Sequence, residues 1–175
     1  MNPDIQFLKE LQTELNNQDN DCQAAPRFWV IRDYRTVPTH EDYDFDRTMY
    51  YHNDGDHTEF KTVEELKEYL NEYYCEDTDI EGLEDVLNNP EITFDAAWDF
   101  VEENLNDDGF YSSVPVKEEA FIVENTMFIT KEEAKRHLEL NHYHYTNKAH
   151  TYAMTAWRAP KVERVLKILS THNWD

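Results

Sequence analysis

The spacing of apolar positions divides the chain into stretches with a helical period and stretches that favour strands. Ile5, Leu8, Leu11 and Leu15 recur at helical intervals behind an Asn2-Pro3 start, which predicts an amphipathic helix over 2–15 and a polar loop at 16–21. The run Arg27 to Val37 and the segment Thr48 to His52 are rich in β-branched and aromatic residues and read as strands. Asp54-Gly55, between Tyr50-Tyr51-His52 and Thr58-Glu59-Phe60, predicts a hairpin turn. Three helices are expected next. Thr62 and Glu65 compose a capping box ahead of Val63, Leu66, Leu70 and Tyr73. Ile80, Leu83 and Leu87 mark a shorter helix from Asp79 to Leu87, and Thr93 caps a third that carries Phe94, Trp98, Val101 and Leu105 on one face until Gly109 ends it.

Strand-favouring runs return at 110–116, 120–123 and 127–129, the last two joined by a turn at Asn125-Thr126. Thr130 and Glu133 form a second capping box that opens a helix to Leu140. The tail reads as helical over 148–158 and again after Pro160, where Val162, Val165, Leu166 and Leu169 form an inner stripe. The pattern predicts an α+β fold, with helices packed on small antiparallel β-sheet elements in a single domain over 1–175. Its acidic part covers 1–110, and a near-neutral hairpin-plus-helix part covers 111–175.

Charge changes this picture more than composition does. The chain carries a net charge of −22 and a mean hydropathy of −0.88, yet 14% of its residues are aromatic, a fraction that disordered chains avoid. A folded protein with an aromatic core is expected. Residues 1–110 hold 30 Asp and Glu against 7 Lys and Arg, whereas 111–175 hold 8 against 9. Within 64–108 there are 17 acids and one base, Lys67. Glu65, Glu68, Glu72 and Glu76 align on one face of the Thr62 helix, and Asp95, Asp99 and Glu102 align on the Thr93 helix. A four-residue step along a helix advances about 6 Å, comparable with the step between neighbouring phosphates on one nucleic-acid strand. These seven residues are the candidate partner-binding surface. The rival reading is a solvated face that serves solubility, although such a face ordinarily includes i,i+4 lysine partners.

Other chemistry is thinly supported. Asp42, Asp44 and Asp46 resemble the opening of a calcium loop, but Arg47 stands where its glycine belongs and Asn53 where its bidentate Glu belongs. His137, His142, His144 and His150 cluster around a helix end without metalloenzyme spacing. Phosphate-loop, serine-hydrolase and dinucleotide motifs are missing, and there are three glycines in all. Cys22 and Cys75 lie far apart and are expected as reduced thiols. Neither a leader nor an apolar run of membrane-spanning length is found, so a soluble cytoplasmic protein without cofactor is expected. In the tail, Lys148, Arg158, Lys161, Arg164 and Lys167 with Tyr152 and Trp157 suit nucleic acid or a second protomer, as in a homodimer, or else two ordinary core helices.

The segment from His142 through Tyr143-His144-Tyr145 and Ala156-Trp157-Arg158-Ala159-Pro160 to Val165 resembles a C-terminal segment of small bacteriophage and prophage proteins. The resemblance covers 24 of the 175 residues and implies a phage setting. As a class, small acidic phage proteins are similar to anti-defence factors, including anti-CRISPR proteins and DNA mimics. It implies an inhibitor, not an enzyme, that occupies the basic DNA-binding channel of a host CRISPR effector nuclease or restriction enzyme. The alternatives are a small phage enzyme or metal-dependent nuclease using the four histidines, and a phage assembly protein.

Overall fold

Asn2 turns its side chain back along the chain, its Oδ1 accepting from the Asp4 N–H at 3.0 Å, and Pro3 sets the first helical φ. Helix α1 follows over Pro3–Asn17. The computed structural model describes residues 2–19, 25–54, 58–75 and 80–174. Cys22, Gly55, Glu76 and Asp79 lie outside them.

Strand β1 runs Arg27–Pro38 and β2 runs Arg47–His52. Strand β3, Thr58–Phe60, pairs antiparallel with β2 in the register Tyr50↔Phe60, as expected for a hairpin. Helices α2 (Val63–Tyr74), α3 (Leu83–Asn88) and α4 (Phe94–Asn104) come next. Helix α3 starts later than Asp79 because Gly82 precedes it at φ +87°, a conformation that side-chain-bearing residues avoid. A Cβ there would lie 3.3 Å from the Phe100 ring. Strand β4 occupies Tyr111–Ile122, helix α5 Lys131–Leu140, strand β5 His150–Thr155 and helix α6 Pro160–Thr171. The fold is α+β, with five strands in one antiparallel sheet of order β3-β2-β4-β1-β5. No helix among the described residues is long and apolar enough to cross a membrane.

Four expectations are corrected. The two strands foreseen at 110–116 and 120–123 are one, because Lys117-Glu118-Glu119 continues in extended conformation with its side chains exposed. The strand at 127–129 reduces to a single bridge, in which Trp29 and Phe128 exchange two 2.8 Å backbone hydrogen bonds behind the left-handed Asn125. The helix foreseen over 148–158 is strand β5, paired with β1 from Arg27↔Thr155 to Arg32↔His150. Backbone groups along β1 need partners, and the Thr and Tyr content of β5 suits the pleat. On α6, Val165 is 54% exposed and stands outside the apolar stripe.

The chain forms two compact units, a terminal one of Met1–Arg35 with Glu119–Asp175 and a central one of Thr36–Glu118. In the central unit Leu66, Leu70, Val86, Trp98, Val101 and Tyr111 are buried together. The Trp98 ring packs edge-on to Tyr50 at 4.9 Å and Tyr111 at 5.9 Å, and stacks with Phe94 at 6.3 Å. Burial, with smaller contributions from neighbouring Tyr and acidic groups, pushes the Tyr69 hydroxyl up to about 12, and that group bonds the His52 Nδ1 at 3.0 Å.

In the terminal unit Trp29, Ile31 and Ala134 form the buried centre, with Phe128, Leu138 and Tyr145 packed against them. Asp33, 5% exposed, ties the 145–149 loop to β1 by accepting from the Thr146 hydroxyl and N–H and from the Tyr34 N–H. Burial alone raises the Asp33 carboxyl. These hydrogen bonds and the charge of His150 outweigh it, and the group lies below the ordinary carboxylate value. Since the folded value is depressed, the stability it confers is present above the unfolded pKa of about 4 and is lost as pH falls through the folded value. Asp33→Ala is therefore expected to destabilise the terminal unit by about 2–3 kcal/mol at pH 7. In urea melts, the part of that gap due to charge narrows below about pH 4.

Candidate functional site

The apolar faces of α2, α3 and α4 point into the core of the central unit and leave their acidic residues exposed. What each carboxylate does for the fold separates them. On α2, Glu65 accepts at Oε2 from the Lys61 N–H at 2.7 Å and the Thr62 N–H at 3.3 Å, while the Thr62 hydroxyl accepts from the Glu65 N–H. Glu65 is thus half of the capping box and is drawn back against the helix start. On α4, Glu102 accepts at Oε1 from Trp98 Nε1 at 2.8 Å, giving the buried indole its partner. Two of the seven predicted residues therefore serve the fold, and Glu76 lies outside the described residues.

Glu68, Glu72, Asp95 and Asp99 remain, exposed and without hydrogen bond or ion pair among the described residues. Glu64 and Glu103, which the sequence reading passed over, are likewise exposed and complete two matching series. Glu64, Glu68 and Glu72 stand at i, i+4 and i+8 on α2, and Asp95, Asp99 and Glu103 do the same on α4. Each series covers about 12 Å of helix. Helix α2 packs against both α3 and α4, and α3 adds exposed Glu84 and Asp85.

Helix dipoles account for part of this arrangement. Glu64, Glu84, Glu65, Asp85 and Asp95 lie in first turns, where negative charge is favoured. Glu72 and Glu103 lie in last turns, where it is not, and no basic residue occupies the last turn of any of the three helices. The single base of the region does not relieve them, because Lys67 Nζ donates to the Asn89 carbonyl at the end of α3, at 2.6 Å. Arg47 and Lys61 both pair with Glu59, at 2.6 and 3.6 Å.

The unit boundaries sharpen the charge asymmetry. The central unit holds 25 acidic residues against 4 basic, and the terminal unit 13 against 12. The sequence division at residue 110 placed residues 1–35 with the acidic part, but they belong with the near-neutral C-terminal part.

The remaining candidates do not converge. Asp46 accepts at Oδ2 from the Glu118 N–H at 2.6 Å, and Asp42 contacts His40 at 3.3 Å. His137 Nε2 meets the Tyr145 hydroxyl at 2.8 Å, His142 Nδ1 the Glu139 carbonyl at 3.1 Å, and His150 Nδ1 the Lys148 carbonyl at 3.0 Å. His144 packs on Tyr143. Among the described residues no three His, Cys, Asp or Glu side chains are placed to share an ion. Cys75 is a free, exposed thiol.

No family model matches the chain, and neither does any curated protein or solved structure. The acidic rows therefore stand on their own geometry and charge.

Substitutions separate the two kinds of carboxylate by sign. Glu65→Ala removes an acceptor from the α2 start and is expected to destabilise by about 1 kcal/mol. Glu68→Gln relieves two like-charge i,i+4 pairs and is expected to stabilise by about 0.5–1 kcal/mol in low salt, with the gain shrinking in 1 M salt. Thermal melts at both salt concentrations check the pair.

Proposed function

We propose that the chain is a phage-encoded inhibitor whose central unit enters the basic nucleic-acid-binding channel of a host defence protein in the bacterial cytoplasm. The target class that fits best is a CRISPR effector nuclease, with a restriction enzyme next. The observation that carries the reading is the set of exposed carboxylates with no role in the fold, above all Glu68, Glu72, Asp99 and Glu103. Helix propensity is served as well by Lys, Arg or Gln as by Glu, capping and dipoles offer no reason for acids at these positions, and mutual repulsion works against them.

The physical chemistry is that of polyanion exchange. A groove lined with Lys and Arg binds nucleic acid largely through the release of condensed counterions, and a folded array of carboxylates competes for the same cations. Helical rows fix the backbone that carries the charges, so only side-chain rotamers are left to order on contact. A target duplex and its short protein-read motif are recognised through backbone phosphates and a few arginines. The arginines and the lysines that meet those phosphates are groups that carboxylates satisfy by charge-assisted hydrogen bonds. The phage-like tail His142–Val165 supports the setting, and the act of inhibition needs neither metal nor cofactor.

The test is capture from bacterial lysate on the immobilised full-length protein in low salt, with elution by a salt gradient and by duplex DNA. The expected capture is a nucleic-acid-binding protein that DNA displaces and whose affinity falls about tenfold or more between 50 and 200 mM salt. Glu68→Gln, Glu72→Gln, Asp99→Asn and Glu103→Gln together are expected to lower that affinity by about 100-fold at low salt. Capture indifferent to salt, or unaffected by the four neutralisations, refutes the reading.

A further inference from the structure

In the connection between β1 and β2, residues 40–46 are all exposed. Its two aromatic side chains, Tyr43 and Phe45, are 71% and 44% exposed. Elsewhere in the central unit Tyr50, Phe60, Phe94 and Trp98 pack into the core, while Tyr73 and Phe110 are also exposed but lie outside this loop, Tyr73 against the Tyr69 ring and Phe110 against His52. Large side chains left in water forgo their burial energy, and exposed aromatics set among polar groups are typical anchors of protein interfaces.

The loop is not slack. The Thr39 N–H donates to the Pro115 carbonyl at 2.8 Å, the Asp46 N–H to the Val116 carbonyl at 2.9 Å and the Glu118 N–H to Asp46 Oδ2 at 2.6 Å. Inside it, the Tyr43 N–H donates to the His40 carbonyl at 3.0 Å. The feet are thus fastened to β4, and the two rings are carried outward between Glu41, Asp42 and Asp44, all exposed.

We propose that this loop is the docking point for an arginine-bearing segment of the basic partner, an inference that rests on the mimicry reading for the existence of that partner. A guanidinium is planar, stacks on an aromatic face and forks to a carboxylate at the same time, whereas a lysine ammonium is a strongly hydrated point charge. Interleaved rings and carboxylates satisfy both needs of arginine, and the same carboxylates repel phosphate. The protein itself contains the arrangement. Arg35 lies 5.1 Å over the Phe121 ring while its guanidinium nitrogen is 3.4 Å from Glu119. The acid-x-aromatic order of Glu119 and Phe121 recurs in Glu41 and Tyr43.

The test titrates the full-length protein with two synthetic peptides of equal length and charge, one alternating Gly and Arg and the other Gly and Lys, in physiological salt. The arginine peptide is expected to bind about tenfold more tightly. Tyr43→Leu with Phe45→Leu keeps apolar bulk but removes the π faces, and is expected to abolish the preference while the thermal melt stays unchanged. Neutralising Glu68, Glu72, Asp99 and Glu103 is expected to weaken both peptides and keep their ratio. Equal binding of the two peptides by the native protein overturns the proposal, as does a preference that survives in the leucine variant. Sedimentation that shows self-association lost in the leucine variant also overturns it, since the occupant is then a second copy. Should the neutralised rows leave both affinities intact while the arginine preference stands, the mimicry reading fails and the docking loop does not.

Discussion

Like-charge repulsion within the central unit is the constraint around which its structure is built. With 25 acids against 4 bases, the unit repels itself, and of its cations Arg47 and Lys61 share Glu59 while Lys67 is held by a carbonyl. What holds it together is a compact aromatic centre. Trp98 meets Tyr50, Phe94 and Tyr111 through its ring and Glu102 through its indole nitrogen. A core of this kind supplies more burial per side chain than aliphatics do, which suits a unit whose three helices are short and acidic. The fold also turns part of its acidity to its own use, since Glu65 closes a cap and Asp46 fastens a loop.

That distinction separates carboxylates that serve the fold from those that do not more sharply than net charge does. A solubilising surface needs charge anywhere and tolerates both signs interspersed. Here the terminal unit, with 13 acids and 12 bases, already follows that pattern. If acidity served only to keep the chain dissolved, nothing would confine it to one unit, or place it in last turns at Glu72 and Glu103 against the helix dipole. Confinement is what an interface with a basic partner requires.

The helices, caps and hairpin of the central unit were legible in the sequence because each rests on local chemistry. Thr62 with Glu65, Thr93, and the β2–β3 pairing around 54–55 need no distant partner to be recognised. Strand β5 was not legible, because His150–Thr155 carries an ambiguous pattern that only its pairing with residues 27–32, far away in sequence, resolves. The same pairing joins residues 27–32 to the C-terminal part in one unit, which no local count of charge reveals. At the candidate site, helical periodicity identified the outer faces of α2 and α4 but not which carboxylates are available. Glu64 and Glu65 fit the period equally well, as do Glu102 and Glu103. The choice is made by a backbone cap on one helix, which the Thr62-x-x-Glu65 pattern already signalled, and by a buried indole on the other, which no local pattern showed.

Charge density explains why an acidic array alone is an incomplete substitute for nucleic acid. Each helical row offers one carboxylate per about 6 Å, whereas a duplex presents one phosphate per about 1.7 Å of its axis. Two rows together with the α3 acids narrow that difference without closing it, so on the proposed reading counterion release by itself leaves such an array weaker than the polymer it would displace. Contacts that salt does not screen must make up the remainder. On the docking proposal these come from Tyr43 and Phe45, held in water by a loop that is hydrogen-bonded at both feet. An aromatic anchor adds affinity that duplex phosphates do not offer, and it does so toward the arginines on which nucleic-acid grooves rely. Long-range attraction and short-range stacking then select the same kind of surface by independent forces, and only the first weakens as salt rises.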